Sequence, residues 1–326
     1  MPPGDTIIYL TDTSGMSAQA RRILDSVLGV YDLRVQPPVS LVDRPQFLYP
    51  QWMLFLFTLA GLFVLFMLYV GLPYLRKQRA LNKPILAESG LDAVRYGDWL
   101  NRYNPYFASL SMPMKERFLD RVVKFMMNKE FRYHKLEEDE KIPVLISGAA
   151  VQMTFGLRNF IMDYFPVIHI TSKEYVMHHD NETYFGHVSH SGIYISWKHF
   201  LAGYEDYSDA VNVGLHEMAH AVSYDVFLGM QDRHDRSFKE RLLDFRMEGG
   251  PVFRAMREGD PHLLNDYATT NFDEFWAVCI ETFFENPVTL RDEEPGLYQA
   301  ICDLLNQDPT RQDNVIDKKL AGIKIS

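Results

Sequence analysis

Between Trp52 and Leu72 the chain reads WMLFLFTLAGLFVLFMLYVGL, 21 residues without one charged side chain. At a helical rise of about 1.5 Å per residue such a run forms a rod of about 30 Å, the thickness of a bilayer's hydrocarbon core. No polar face interrupts it, which sets it apart from a helix half-buried in a soluble domain. Tyr49, Trp52, Tyr69 and Tyr74 stand near its two ends, where amphipathic aromatics settle among lipid headgroups. A cleaved signal peptide fits less well, because the run starts far from Met1, is too long, and is followed by no small-residue cleavage pattern. The expectation is one transmembrane helix with its flanks over residues 49–75, held in the lipid bilayer through residues 52–72.

The flanks suggest an orientation. Arg76, Lys77, Arg79 and Lys83 follow the span closely, whereas only Arg34 and Arg44 precede it at comparable distance. Positive charge stays on the cytoplasmic side, so residues 84–326 are expected in the cytoplasm and the tail, residues 1–48, outside it. In that tail Asp5–Leu10 suits a short strand, Ser17–Tyr31 has apolar residues at helical spacing, and Gln36–Ser40, with Pro37 and Pro38, suits an extended linker.

The overall charge of −10 divides unevenly: residues 1–83 carry +3 and residues 84–326 carry −13. A domain that acidic repels phosphate backbones, which argues against a nucleic-acid partner. Cys279 and Cys302 are the only cysteines, too few for a disulfide framework and in keeping with a reducing compartment.

Residues 84–326 read as a single α+β domain without repeats. Helical patterns over Met114–Lys129 and Ile142–Phe155 come first; the whole stretch Asn104–Phe155 suits either a lid or part of the core. Strand-like segments follow at Phe165–Ile170, Glu174–Met177 and Gly192–Trp197. Helices return at Asp209–Leu228, Ser237–Arg246, Asp273–Glu285 and Pro295–Asn306.

The chemistry is concentrated in His216-Glu217-Met218-Ala219-His220. Histidines at i and i+4 lie one turn apart on a helix and can point at one metal ion. Glu217, next to the first of them, is placed to take a proton from water at the metal without itself occupying a coordination position. Zinc suits the pattern because it accepts nitrogen and oxygen donors tetrahedrally and brings the pKa of water to about 7. The apolar neighbours Val213, Leu215, Met218, Ala219 and Val222 embed the three polar residues in a helix that needs partners for them.

A catalytic zinc needs a third protein ligand and an open fourth position. His234, Asp235, His262, Asp266, Asp273, Glu274 and Glu281 are all candidates downstream. Glu274 and Glu281 are about 10 Å apart along a helix, so both cannot ligate one ion. Spacing favours Glu274 without deciding the matter. Asp225 or Glu281 is a candidate to orient a ligand imidazole from behind. A second polar cluster, His178, His179, His187 and His190 with Asp180 and Glu182, suits either a solvated hairpin tip or a further metal or substrate entrance.

Several stretches in this order resemble one family: Gly192–Trp197, Asn212–His220, Tyr267–Val278, Glu281–Pro287 and Pro295–Tyr298. It is the family of zinc-dependent peptidases typified by Mlc titration factor A, whose catalytic fold is similar to the protease domain of anthrax lethal factor. The resemblance extends over Tyr106–Asp308. It implies a zincin-like metallopeptidase domain with one zinc per chain held by His216, His220 and Glu274. It also implies Glu217 as general base and Tyr267, seven residues before Glu274, as donor to the oxyanion. Relatives tend to carry an acid shortly after the second histidine, whereas here the first acid is Asp225.

The function expected is membrane-anchored hydrolysis of a peptide or protein substrate, with trimming of N-termini and internal cleavage both open. Gly192–Trp197 is expected either to pair with extended substrate or to be a plain core strand. The alternative function is a non-catalytic regulatory protein that keeps the fold, since the typifying member is named for binding a repressor; its partner would be a regulatory protein.

Overall fold

A computed structural model describes residues 15–30, 51–82, 84–85, 90–176, 182–228, 236–311 and 313–317. The chain divides into two compact units, Met1–Arg76 and Lys77–Ser326. In the first, helix α1 (Ala18–Val30) covers the stretch with helical apolar spacing. Helix α2 (Gln51–Asn82) carries the uncharged run. Its segment Trp52–Pro73, of mean hydropathy 2.5, is long and apolar enough to cross a membrane, and none of it is buried in the protein. The strand expected at Asp5–Leu10 and the linker at Gln36–Ser40 lie outside the described residues.

The second unit is a helix-rich α+β domain around one small sheet. It opens with α3 (Ala93–Tyr103), α4 (Pro105–Ser109) and α5 (Met112–Met127). Asn104 ends α3 and caps α4, its side chain accepting from the Phe107 N–H at 2.7 Å. Strand β1 (Glu130–His134) follows, inside a stretch whose sequence suggested helices alone. Its residues EFRYH hold two apolar side chains among polar ones, too short an alternation to register as a strand.

Helix α6 (Lys141–Thr154) is apolar on all sides and buried from Ile142 to Thr154 except at Pro143. A helix without a polar face belongs at the centre of a domain. The segment Asn104–Phe155 is therefore core: Phe118, Val144, Leu145 and Val151 have no exposed surface.

Strands β2 (Val167–Thr171), β3 (Tyr175–Val176), β4 (Thr183–Tyr184), β5 (Gly186–Ser189) and β6 (Gly192–Ser196) come next. The main sheet has the order β1-β2-β6-β5; β1, β2 and β6 run parallel and β5 runs antiparallel to β6. Helix α6 provides the crossover that parallel β1 and β2 require. On one face Ile168, Ile170, Ile193 and Ile195 are fully buried. On the other, His169 stacks on Tyr194 at 4.1 Å and Tyr194 on His187 at 4.2 Å. This alternation is the period of two that strands impose.

The chain then continues through α7 (Trp197–Glu205), α8 (Val213–Leu228), α9 (Arg236–Glu258), a 3-10 turn (Asp266–Thr269), α10 (Phe272–Glu285), α11 (Pro287–Glu293) and α12 (Pro295–Leu305). Helix α9 runs twelve residues past the expected end at Arg246, through Gly249-Gly250-Pro251. Tertiary contacts on both sides of the proline account for this. Phe245 before it and Phe253 after it both pack on the Phe272 and Phe275 rings of α10, at 5.5–6.2 Å.

Candidate metal centre

Helices α8 and α10 build the site together. Asn212 caps α8: its side-chain oxygen accepts from the Leu215 N–H at 3.0 Å, and its carbonyl accepts from the His216 N–H. Asn271 does the same for α10, accepting from the Asp273 and Glu274 N–H groups at 2.9 and 3.0 Å, and so places Glu274 in the first turn. Trp276 then donates its indole N–H to the Ala219 carbonyl at 3.0 Å, which fixes one helix against the other between the two histidines. The 3-10 turn is held by Asn265, whose side chain accepts from the Tyr267 N–H at 2.9 Å.

These constraints bring His216, His220 and Glu274 together. Nε2 of His216 is 2.9 Å from Oε2 of Glu274, Nε2 of His220 is 3.3 Å from the same oxygen, and the two nitrogens are 3.1 Å apart. Four-coordinate zinc with ligands at about 2.0–2.1 Å separates neighbouring donor atoms by about 3.4 Å. The donor types and their separation fit such an ion. Among the described residues this is the one group of His, Cys, Asp and Glu side chains close enough to share a metal.

Glu281 stands behind the triad. Its Oε1 is 2.7 Å from Nδ1 of His216, and its Oε2 accepts from the Asn212 N–H. Glu274 and Glu281, two turns apart on α10, thus hold the two nitrogens of one imidazole, and a proton on Nδ1 leaves Nε2 free to ligate. Asp225 is elsewhere, its Oδ1 accepting from the Tyr164 N–H at 2.8 Å. His262 pairs with Glu294 at 2.9 Å. His234 and Asp235 lie outside the described residues, as do His178, His179 and Asp180.

Burial opposes charge on His216, but the hydrogen bonds to Glu274 and Glu281 outweigh it and lift the imidazole to about 10. For Glu274 burial again works the other way, and the two imidazoles bring its carboxyl down to about 2. The carboxylates therefore keep positive charge at the point where a cation fits. Glu217 is buried, and that burial raises its carboxyl; His216 and His220 hold it back while Glu274 and Glu281 add to it, leaving it at about 7. Its Oε2 has no hydrogen-bond partner.

Gly186 on β5 was not foreshadowed by the sequence. A Cβ there would lie 2.5 Å from Oε1 of Glu217, so any larger residue on this strand requires that carboxylate to shift. Tyr224 also joins the site: one turn after His220, it stacks on that imidazole at 6.3 Å. Its i+4 spacing from His220 was the available signal. Tyr267 is half exposed, with its ring 5.9 Å from that of His216.

Of the two expectations for Gly192–Trp197, the structure favours the plain core strand. Strand β6 ends at Ser196, with Trp197 opening α7, and it is paired on both sides by β2 and β5. It has no free edge. Strand β5 ends the sheet beside the site. His187, from the second polar cluster, bonds the Tyr175 hydroxyl through Nδ1 at 2.6 Å.

Two cavities meet at the triad. One, of about 470 Å³, reaches Val188, His220, Tyr224, Arg246 and Asp273; the other, of about 360 Å³, reaches Phe185, Val211, Val213 and Val278. Both are bordered by Gly186, His216, Glu217 and Tyr267.

Two outcomes follow from this geometry. Gly186→Ala displaces Glu217 while leaving the three donor atoms in place, so metal content is kept and any hydrolysis falls at least about tenfold, read by elemental analysis beside a peptide assay. Glu285, buried behind Asn212 and accepting from its Nδ2 at 2.9 Å, is pushed by burial up to about 8. Between about pH 4.5 and 8 the folded chain then holds a proton that the unfolded chain has lost, so stability declines as pH rises through that window. Glu285→Gln removes this decline. Denaturant unfolding at pH 5 and pH 8 should show the variant gaining a few kcal/mol on the parent at the higher pH.

Comparison with known proteins places this geometry in context. The model of a family described as glucose-regulated metallo-peptidase M90 matches residues 76–305. An uncharacterised protein of Synechocystis is 23% identical over 214 residues, covering 60% of this chain and 78% of that protein.

Proposed function

The chain belongs to the glucose-regulated metallopeptidase M90 family, and from that premise we propose a membrane-anchored zinc peptidase with a zincin-type catalytic domain. Membership gives a metallopeptidase acting on peptides and agrees with the resemblance read from the sequence motifs. The observation that carries the finer reading is the convergence of two imidazole nitrogens and one carboxylate oxygen, with the buried Glu217 next in sequence to the first imidazole. His216, His220 and Glu274 would hold the ion, leaving its fourth position open. Zinc held there supplies Lewis acidity toward a peptide carbonyl and acidifies water.

The chain's own groups do the rest. Glu217 takes a proton from the attacking water and returns it to the leaving amine, a role suited to a buried carboxylate that ligates nothing itself. Glu281 keeps the His216 ring in the tautomer and orientation that ligation requires. Tyr267 directs its phenol at the oxyanion, where a donor in a partly dry site has most effect. An extended substrate adds to the free edge of β5, where Gly186 brings the backbone against Glu217. The span Trp52–Pro73 anchors the chain, and the basic residues after it orient the catalytic unit toward the cytoplasm.

Glu217→Gln tests the role given to that carboxyl. The variant should retain its metal and lose about 10²–10⁴ in kcat on a peptide substrate. Unchanged turnover would remove Glu217 from the mechanism.

A further inference from the structure

We infer that α1 (Ala18–Val30) lies flat on the bilayer that α2 spans, with its apolar face in the boundary between headgroups and acyl chains; this rests on the membrane-anchored reading above. The helix is set by its own residues. Ser17 opens it, the hydroxyl accepting from the Ala20 N–H at 3.3 Å and the carbonyl from the Arg21 N–H at 3.0 Å. At about 3.6 residues per turn, Ala20, Ile23 and Leu24 fall on one side, and Arg21, Arg22, Asp25 and Ser26 fall on the other. In the sequence Val27 and Leu28 continue the apolar side.

The described residues leave that side largely uncovered. Ile23 is 61% exposed, Ala20 is exposed and Leu24 partly so. A helix of 13 residues is marginal in water unless its apolar face is buried against something.

A lipid surface fits the face better than a second copy of the chain. A paired coil needs an apolar seam sustained over about three heptads or more, and 13 residues are fewer than two. Two arginines against one aspartate stand on the polar side, the charge that anionic headgroups attract. The anchor then supplies the location. Residues 31–50 join the two helices, so even at full stretch α1 stays within about 70 Å of the start of α2. That tether makes docking on the same bilayer an intramolecular event, and a helix too short to hold a membrane by itself is held there. The chain thus grips the membrane twice, once across it and once along its surface.

The test uses the full chain reconstituted into vesicles of mixed phosphatidylcholine and phosphatidylglycerol. Ala20→Cys, Arg22→Cys, Ile23→Cys and Ser26→Cys are made singly and labelled with an environment-sensitive fluorophore. Cys279 and Cys302 are buried, and the unsubstituted chain gives the labelling background. Quenching by brominated lipid is read against quenching by iodide from the water. Labels at 20 and 23 should be quenched by the brominated lipid at least about threefold more than labels at 22 and 26, with the order reversed for iodide. Equal access of iodide to all four positions would overturn the inference. So would protection from iodide at 20 and 23 without quenching by brominated lipid, which would put a second copy or another protein surface on that face. Alkaline carbonate extraction of the same vesicles separates this inference from the anchor. A chain that stays with the lipid while α1 shows no lipid contact keeps the anchor and loses the inference, whereas a chain released into the supernatant loses both.

Discussion

The imidazole of His216 lies between two carboxylates of one helix, Glu274 on Nε2 and Glu281 on Nδ1, and the rest of the catalytic unit is arranged to keep it there. Two glutamates separated by two turns of α10 can grip one ring only if α8 and α10 are fixed in both spacing and rotation. The Trp276 indole bonded to Ala219 supplies that fix, and Asn212 ties the start of α8 to Glu281 and Glu285. The apolar faces of both helices are buried to exclude water from the arrangement. Met218, Ala219, Ala277 and Ile280 have no exposed surface.

This placement gathers Glu217, Glu274 and Glu281 around one imidazole, with Glu285 one turn beyond Glu281, a repulsive arrangement unless positive charge or protons offset it. Two different answers appear. Glu274 is ionised against two imidazoles, and Glu217 and Glu285 are raised by burial. A divalent cation at the triad would offset the same charge more completely. The acidity of the cluster and its fitness for a metal are one property seen from two sides.

Much of this was legible in the sequence because helices convert spacing into direction. The i, i+4 histidines and the adjacent glutamate specified one face of α8, and the 21-residue apolar run specified α2. The third ligand was narrowed by helical rise, which excluded joint ligation by Glu274 and Glu281 but could not show that both reach the same ring. Strand β5 escaped notice because Gly-His-Val-Ser is four residues long and has no apolar period. The contact between Gly186 and Glu217 joins residues 31 apart in sequence, and only the folded sheet creates it. Helix α9 outruns its local breaker signals for a related reason: rings on another helix override them. Local chemistry was readable, while pairings made at a distance were not.

The central claim is that three side chains from two helices share one metal ion. Elemental analysis of the full chain, purified without chelator, measures this most directly when set beside Glu274→Ala. The account predicts about one zinc per chain in the parent and its loss in the variant, with folding retained by circular dichroism. A parent that takes up no zinc when it is supplied, or a Glu274→Ala variant that binds it as firmly as the parent, would contradict it.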